Sequence, residues 1–272
     1  MTDGHQTEHY MLGTTGAAYH RYVLFDATYG RATTLRLATL DLPPGLDVLE
    51  IGCGIGVTAC EFADTIAKGG HVTGFDAAGD LVDLARAEAV KRGLDNTTFV
   101  HANAEEFDYP PDRFDLAHTR YVLSYIPDAR SVVANAYRAL KPGGLFFSEE
   151  VIQAYVTHGD TAWFLDMGHW FGELVRLGGG RKNYGIEDLP SDMLDAGFTD
   201  LQITAHWPFE DQAANREMLR LALTNEFRDN LISNGVATHA EIDAVMAELE
   251  RPDPNYKIAT SGVMQVVGRK PG

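Results

Sequence analysis

The stretch that decides the fold is Glu50-Ile51-Gly52-Cys53-Gly54-Ile55-Gly56, which places a glycine at every second position after the carboxylate. It follows Leu46-Asp47-Val48-Leu49, an apolar run of strand length, and it precedes residues 57–67, which have helical spacing. Small residues between a strand and a helix N-terminus let the backbone approach a ligand closely. This pattern therefore predicts a nucleotide-binding turn.

A second landmark is the carboxylate of Asp76, which ends the apolar run that begins at His71. A carboxylate at the end of the second strand can accept hydrogen bonds from the two cis hydroxyls of a ribose. This position therefore favours a nucleoside as part of the ligand.

Three further segments continue the alternation of strand and helix. Residues 99–105 read as a third strand that runs into a polar loop, residues 114–123 as a fourth strand, and residues 140–146 as the turn that opens a fifth. The intervening segments 80–92 and 129–140 have helical patterns. Such alternation from 46 to 151 predicts an α/β fold, with a parallel sheet covered by helices on both faces.

Taken together, the five landmarks resemble the class I S-adenosylmethionine (SAM)-dependent methyltransferases. The likeness is to small-molecule enzymes with an Arg-aromatic-Val-Leu run after strand four, here Arg120-Tyr121-Val122-Leu123. It covers residues 46–151 and implies a Rossmann-like, seven-stranded, mostly parallel sheet. The resemblance also implies a SAM site in which the glycine loop surrounds the methionine part, Asp76 binds the ribose and the loop after strand three meets the adenine.

The resemblance implies cofactor contacts from residues in these loops. They are Glu50, Gly52, Cys53, Gly54, Gly56, Asp76, Ala77, Asn103, Ala104, Glu105 and His118. Arg120 could meet the SAM carboxylate or an acidic substrate, or it could form a salt bridge to a helix.

The chain divides around this core. Residues 1–45 are predicted to form an N-terminal helical lid segment, because Tyr22, Phe25 and Tyr29 recur at helical spacing. Residues 46–151 form the SAM-binding core. Residues 152–272 are expected to complete the sheet and to carry substrate-cap insertions at 152–186 and 208–255. We also expect a capped helix at 186–196 and strand six at 198–207. The last strand, at 258–268, is expected to be antiparallel and to lie at the edge of the sheet.

The acceptor pocket is expected above the carboxyl ends of the strands. Aromatic side chains from three segments are its candidate lining: Tyr19, Tyr22, Tyr121, Trp163 and Trp170. An aromatic lining suits a flat or apolar acceptor, and it can stabilise a carbocation. The alternative is that these rings pack in the core of a small cap.

The candidate catalytic groups are His169, Glu149 and Tyr121. SAM carries an activated methyl group, so a base is needed chiefly when the nucleophile keeps its proton at neutral pH. Glu149 and Glu150 end strand five, where alternation should point one of them to the pocket. Catechol-type relatives hold magnesium with carboxylates after strand four; this chain has His118-Thr119-Arg120 there, so no metal is expected.

Composition limits the partners. A net charge of -17 argues against nucleic acid or an anionic membrane surface, both of which attract basic patches. Residues 1–9 are polar, so no signal peptide is expected, and no apolar run reaches the length of a membrane span. Cys53 and Cys60 are expected to be reduced thiols. A cytoplasmic protein with a small-molecule substrate is therefore predicted, with a homo-oligomer left open.

Two other classes of function remain to be weighed. A nicotinamide-dependent oxidoreductase usually shows G-x-G-x-x-G, but the third residue after Gly54 is Val57. A methyltransferase-like protein could bind SAM and direct another reaction, such as ring closure. The favoured function is methyl transfer to an oxygen, nitrogen or carbon of a small, apolar or aromatic metabolite, of the kind found in secondary metabolism.

Overall fold

A seven-stranded sheet forms the centre of the protein. The computed structural model describes residues 16–157, 162–208, 212–224, 226–251 and 259–272. Its strands are β1 Asp47–Ile51, β2 His71–Asp76, β3 Thr97–His101, β4 Phe114–Arg120, β5 Leu140–Thr157, β6 Thr199–His206 and β7 Ala259–Arg269. They lie in the order β3-β2-β1-β4-β5-β7-β6, and only β7 runs antiparallel to its neighbours among the pairings described. The predicted Rossmann-like, mostly parallel sheet is confirmed.

The position of β7 differs from the prediction. The last strand was expected at the edge of the sheet, but β7 lies between β5 and β6 and pairs with both. β6 is the edge strand, and most of its residues are exposed. The reason is visible in burial: Val263, Val266 and Val267 of β7 are buried, as a strand between two others requires.

Helices cover both faces of the sheet. They are α1 Gly16–Leu37, α2 Val57–Asp64, α3 Gly79–Arg92, α4 Ala129–Ala139, α5 Ala162–Leu177, α6 Tyr184–Glu187, α7 Leu189–Ala196, α8 Gln212–Ala222, α9 Glu226–Ser233 and α10 His239–Glu250, with a 3₁₀ turn at Leu123–Tyr125. The helix predicted at 186–196 is split into α6 and α7. Pro190 lies in the first turn of α7, where its missing N–H is tolerated. Gly197 ends α7 in the left-handed conformation, as predicted for its cap.

Three apolar clusters hold these layers together. Alternate strand residues point to opposite faces, so Leu49 and Ile51 pack in one cluster and Val48 in the other. A third cluster lies within the helices of the two insertions, where α5 packs against α9 and α10. The cap therefore has an apolar core of its own.

None of the described helices combines the length and the apolar content needed to cross a membrane.

Candidate functional site

A cavity of about 540 Å³ opens at the carboxyl ends of β1, β2 and β4. This volume lies within the range of small-molecule sites. Its floor is the glycine loop after β1, and its walls come from the loops after β2, β3 and β4, from α1 and from the end of α5. Segments far apart in sequence therefore meet at one site.

The glycine loop approaches its surroundings too closely for larger residues. Gly52, Gly54 and Gly56 all have positive φ angles, of 71°, 52° and 77°, which favour glycine. A Cβ on Gly52 would lie 2.3 Å from Cγ2 of Val122, whereas a Cβ on Gly54 would meet nothing within 4 Å. Gly52 thus allows packing against the loop after β4, and Gly54 leaves open space beside the cavity. Cys53 also lines the cavity, and burial raises the pKa of its thiol well above the ordinary value.

Asp76 lies at the other side of this loop. Its carboxylate accepts hydrogen bonds from the backbone N–H groups of Gly54 and Ala78, each at 2.9 Å. Burial raises the pKa of Asp76, and these backbone hydrogen bonds oppose part of that shift. Each carboxylate oxygen has a second lone pair, and Asp76 lines the cavity, so two further donors from a ligand can be accepted there.

The loop after β3 closes the same end of the cavity. Ala77, Asn103, Ala104 and Glu105 line it. The Asn103 side-chain oxygen accepts from the Glu105 N–H at 2.9 Å, and the Glu105 carboxylate accepts from the Asp128 N–H at 3.0 Å. The residues predicted to meet ribose and adenine are thus brought together around one end of the cavity.

Glu50 lines the middle of the cavity and is held from below by His118. The Glu50 Oε2 atom lies 2.9 Å from Nδ1 of His118, and the second ring nitrogen lies 3.0 Å from Oε2 of Glu149. Burial lowers the pKa of His118, but the charges of the two carboxylates and their hydrogen bonds raise it to about 9. A carboxylate oxygen faces each ring nitrogen, which is the arrangement that an imidazolium donating from both nitrogens requires.

The structure corrects two predictions here. His118 is fully buried and does not line the cavity; it contacts Glu50 instead of the space that a cofactor would occupy. Glu149 is also fully buried and accepts from Thr33 at 2.6 Å and from Gln265 at 2.7 Å. Burial raises the pKa of Glu149, but the contacts and charges of His118, Arg120 and Gln265 together hold it below its ordinary value. Glu149 is thus removed from contact with an acceptor.

Glu150 does not reach the cavity either. Its carboxylate accepts from the backbone N–H groups of Val122, Leu123 and Ser124, and from the Ser124 hydroxyl at 2.6 Å. The expectation that one of the two β5 carboxylates would enter the pocket was therefore wrong. Both are used to fix neighbouring elements, and Glu150 fixes the loop whose Val122 packs on Gly52.

The opposite end of the cavity is aromatic. Tyr22 and Phe25 of α1 line it together with Tyr121 and Tyr125 after β4. The Tyr121 ring meets Phe25 edge-on, with centroids 4.8 Å apart. Tyr121 has φ 57°, a conformation that a bulky residue rarely adopts. Its hydroxyl is buried without a hydrogen-bond partner in the part of the chain that the structure describes.

Four residues that were predicted to contact the acceptor do not line the cavity. Trp170 is buried in the apolar cluster of the cap, and Trp163 packs against that cluster. His169 is exposed on α5, and Tyr19 is half-buried on α1 outside the cavity lining. The expected pocket tryptophans are therefore core residues of the cap, and the expected base His169 does not reach the cavity.

Several lining residues were not predicted from sequence. Arg21 and Asp26 of α1 line the aromatic end, as do Leu174 and Val175 of α5. Asp26 accepts from Arg120 at 2.6 Å, so Arg120 forms the salt bridge to a helix that its sequence context left open. Asp26 lies one position after Phe25 and four after Tyr22, and this helical spacing is the signal that could have identified it.

The described residues contain no group of three or more His, Cys, Asp or Glu side chains arranged to hold a metal ion.

Comparisons with known proteins agree with this geometry. Residues 42–167 match a protein-family model described as a methyltransferase domain. A demethylmenaquinone methyltransferase from Listeria monocytogenes is 32% identical over 114 residues, which are 42% of this chain and 47% of that protein. The ubiquinone/menaquinone biosynthesis C-methyltransferase UbiE from Brucella canis is 35% identical over 108 residues, which are 39% of this chain and 40% of that protein.

The matched region spans less than half the length of these curated relatives. Among solved structures, the YcgJ protein from Bacillus subtilis has the same fold, with a TM-score of 0.62 at 20% identity over 89% of this chain and 99% of that chain. The region from residue 42 to residue 167 is thus similar to methyltransferase domains.

Proposed function

We propose that this chain binds SAM in the cavity and transfers its methyl group to a small, apolar or aromatic acceptor. One observation carries the proposal. A single cavity has Asp76, Glu50 and the glycine loop toward one end, and Tyr22, Phe25, Tyr121 and Tyr125 at the other. A polar cofactor end that continues into an aromatic end suits the meeting of a nucleoside cofactor with a flat acceptor.

The residues at the polar end fit SAM. Asp76 would hold the ribose hydroxyls, since both its oxygens are already oriented by backbone N–H groups. Asn103 and Glu105 would lie beside the adenine, and Glu50 with the glycine loop would surround the methionine part. The open space beside Gly54 admits a ligand against the backbone. SAM, when bound, supplies a methyl group on a sulfonium, which is already activated for transfer.

The aromatic end would orient the acceptor and exclude water. Correct alignment of two reactants supplies about 7–11 kcal/mol toward a reaction of this kind. Burial raises the pKa values of Tyr121 and Tyr125, so both phenols stay neutral and can donate a hydrogen bond to an acceptor oxygen. The unpartnered hydroxyl of Tyr121 is the group best placed for this role, because an unpaired buried hydroxyl gains most from a partner.

The kind of acceptor atom is also part of the proposal. No histidine is found among the described residues that line the cavity, which favours a nucleophile that needs little help with its proton. The names of the two relatives, one a demethylmenaquinone methyltransferase and one a C-methyltransferase of quinone biosynthesis, support an aromatic ring and a carbon acceptor for this chain. We therefore place an electron-rich aromatic ring first among candidate acceptors.

Calorimetric titration with SAM, S-adenosylhomocysteine and NAD tests the cofactor. We expect micromolar binding of the first two and no binding of NAD. Binding of NAD alone would overturn the proposal. Transfer of a radiolabelled methyl group from SAM to hydroquinones, phenols and aliphatic amines then tests the acceptor, with Tyr121→Phe as the variant that removes one hydroxyl from the aromatic end. If SAM binds and the acceptor is chemically altered but carries no label, the chain catalyses a reaction other than methylation.

A further inference from the structure

A buried line of polar contacts runs from the cavity to α1. It begins at Glu50, passes through His118 to Glu149, and reaches the hydroxyl of Thr33 on α1. Every step is between 2.6 and 3.0 Å long. Each of these four side chains is buried. This line connects the floor of the cofactor site with the helix that forms the acceptor wall.

The imidazole is the central member of this line. Phe62 and Phe147 flank its ring, with centroids 5.1 and 5.0 Å away. Two carboxylates so close together in an apolar setting repel each other unless a cation lies between them. His118 supplies that cation, and Arg120 adds a second positive charge near both carboxylates. Glu50 and Glu149 can then both remain ionised.

Helix α1 is attached to the sheet through Thr33, which belongs to this line, and through Asp26; both contact Arg120 of β4. Arg120 donates to Thr33 at 3.1 Å, to Asp26 at 2.6 Å and to Thr58 of α2 at 2.9 Å. Thr33 in turn donates to Glu149. Because α1 also carries Tyr22 and Phe25 into the cavity, the placement of the acceptor wall depends on contacts made beneath the cofactor site.

We propose that His118 is a positioning residue that holds Glu50 for the cofactor and couples cofactor binding to the seating of α1. The inference rests on the proposed function, since it takes SAM as the ligand of Glu50. Coupling of this kind is reciprocal: whatever fixes α1 tightens cofactor binding, and bound cofactor steadies α1. A packing histidine would show neither effect.

Matched variants distinguish a positioning role of His118 from a packing role. Thr33→Val removes the hydroxyl that joins α1 to Glu149 and keeps the side-chain size, whereas Thr33→Ser keeps the hydroxyl. His118→Gln removes the positive charge. Phe147→Leu alters the packing around the ring and keeps every polar contact. S-adenosylhomocysteine affinity is measured by calorimetry, and the protection of α1 amides is measured by hydrogen exchange with and without that ligand.

For the wild type we expect added S-adenosylhomocysteine to protect the amides of residues 22–34. Thr33→Val should raise Kd about fivefold and His118→Gln more than tenfold, within the usual range of coupling between sites, and both should lose the added protection of α1. Thr33→Ser and Phe147→Leu should behave like the wild type. Nitrogen resonances of labelled histidine should show both ring nitrogens of His118 protonated at pH 7.5.

Each contrary result has a distinct meaning. Wild-type affinity and protection in Thr33→Val would overturn the coupling, even if His118→Gln fails to fold. A neutral ring at pH 7.5 would overturn the bridging role. Absence of S-adenosylhomocysteine binding to the wild type would instead overturn the proposed function, and the inference with it.

Discussion

The two ends of the cavity are built in different ways. The end of the cavity that we propose for the cofactor (the cofactor end) comes from three loops between residues 50 and 105, and it is lined by glycines, backbone N–H groups and a few carboxylates. The aromatic end, which we propose for the acceptor (the acceptor end), is assembled from α1, the loop after β4 and the end of α5. The residues of the first end lie close together in the sequence, so their spacing alone predicts where each group lies. The residues of the second end come from segments that are distant in sequence, so their spacing does not predict which of them pack together.

The helices behind the acceptor end show the same contrast. They enclose an apolar cluster in which Trp170 and Phe227 are buried. Beneath the cofactor end, the buried groups are instead charged and paired, with His118 between two carboxylates. Four changes can sharpen this comparison, taken from the largest expected effect to the smallest.

Trp170→Ala should lower the free energy of unfolding by about 3–5 kcal/mol, the usual cost of emptying a large aromatic site in a core. The folded variant should keep its SAM affinity, because Trp170 lies outside the cavity. Urea unfolding and calorimetry measure the two quantities. Leu165→Ala on the same helix, where the side chain is 52% exposed, is the control and should change the free energy of unfolding little. A stable Trp170→Ala variant with weakened acceptor binding would show that this tryptophan contacts the acceptor.

The stability should fall as pH rises through the range in which His118 loses its proton. Its pKa is raised from 6.5 to about 9 in the folded protein, so its stabilising contribution is complete below pH 6.5 and is lost as pH passes 9. The linked free energy is on the order of 3 kcal/mol. Urea unfolding between pH 6 and 10 measures it as the difference in the free energy of unfolding between the wild type and His118→Gln. A difference that stays constant with pH would show that the ring is neutral.

Asp76→Ala should weaken SAM binding by about 1–3 kcal/mol, the cost of leaving the ribose hydroxyls unpaired in a closed site. Asp83→Ala on α3 removes the same charge from an exposed position and should leave the affinity unchanged. Calorimetry compares the three proteins. Equal affinity of a folded Asp76→Ala variant would mean that the ribose lies elsewhere.

His169→Ala should leave both turnover and SAM affinity unaltered. The side chain is exposed on α5 and does not line the cavity, so neither a base nor a positioning role is expected of it. Methyl transfer from radiolabelled SAM gives the measurement. A clear loss of turnover would show that α5 moves toward the cavity when the acceptor binds.

Much of the fold was predictable because the chain alternates strand and helix with clear turn residues. The strand predicted to end at Asp76 has the bounds of β2, and the run predicted at 46–49 overlaps β1. The position of β7 was not predictable from its own residues. An inserted antiparallel strand and an edge strand have similar lengths, and only the pairing with β5 and β6 distinguishes them.

The candidate site divides in the same manner. Glu50, Gly54, Asp76 and Asn103 follow strand ends, and parallel strands bring their carboxyl ends together at one edge. Glu149 was expected to end strand five, but β5 continues to Thr157, so Glu149 lies in the middle of that strand. Whether its carboxylate reaches the cavity depends on Thr33 and Gln265, which lie 116 residues away on either side. No local pattern contains that information.

The sequence by itself determined the sheet, the glycine loop and the carboxylate of Asp76 at the end of β2, because each depends on backbone conformation and on residues close together in the chain. Only the tertiary structure decided that His118 lies between two carboxylates, that Trp170 belongs to the apolar cluster of the helices, and that α1 lines the cavity. These outcomes depend on burial and on partners from distant segments. Burial and partners determine whether a charged or aromatic side chain meets a ligand or another part of the protein.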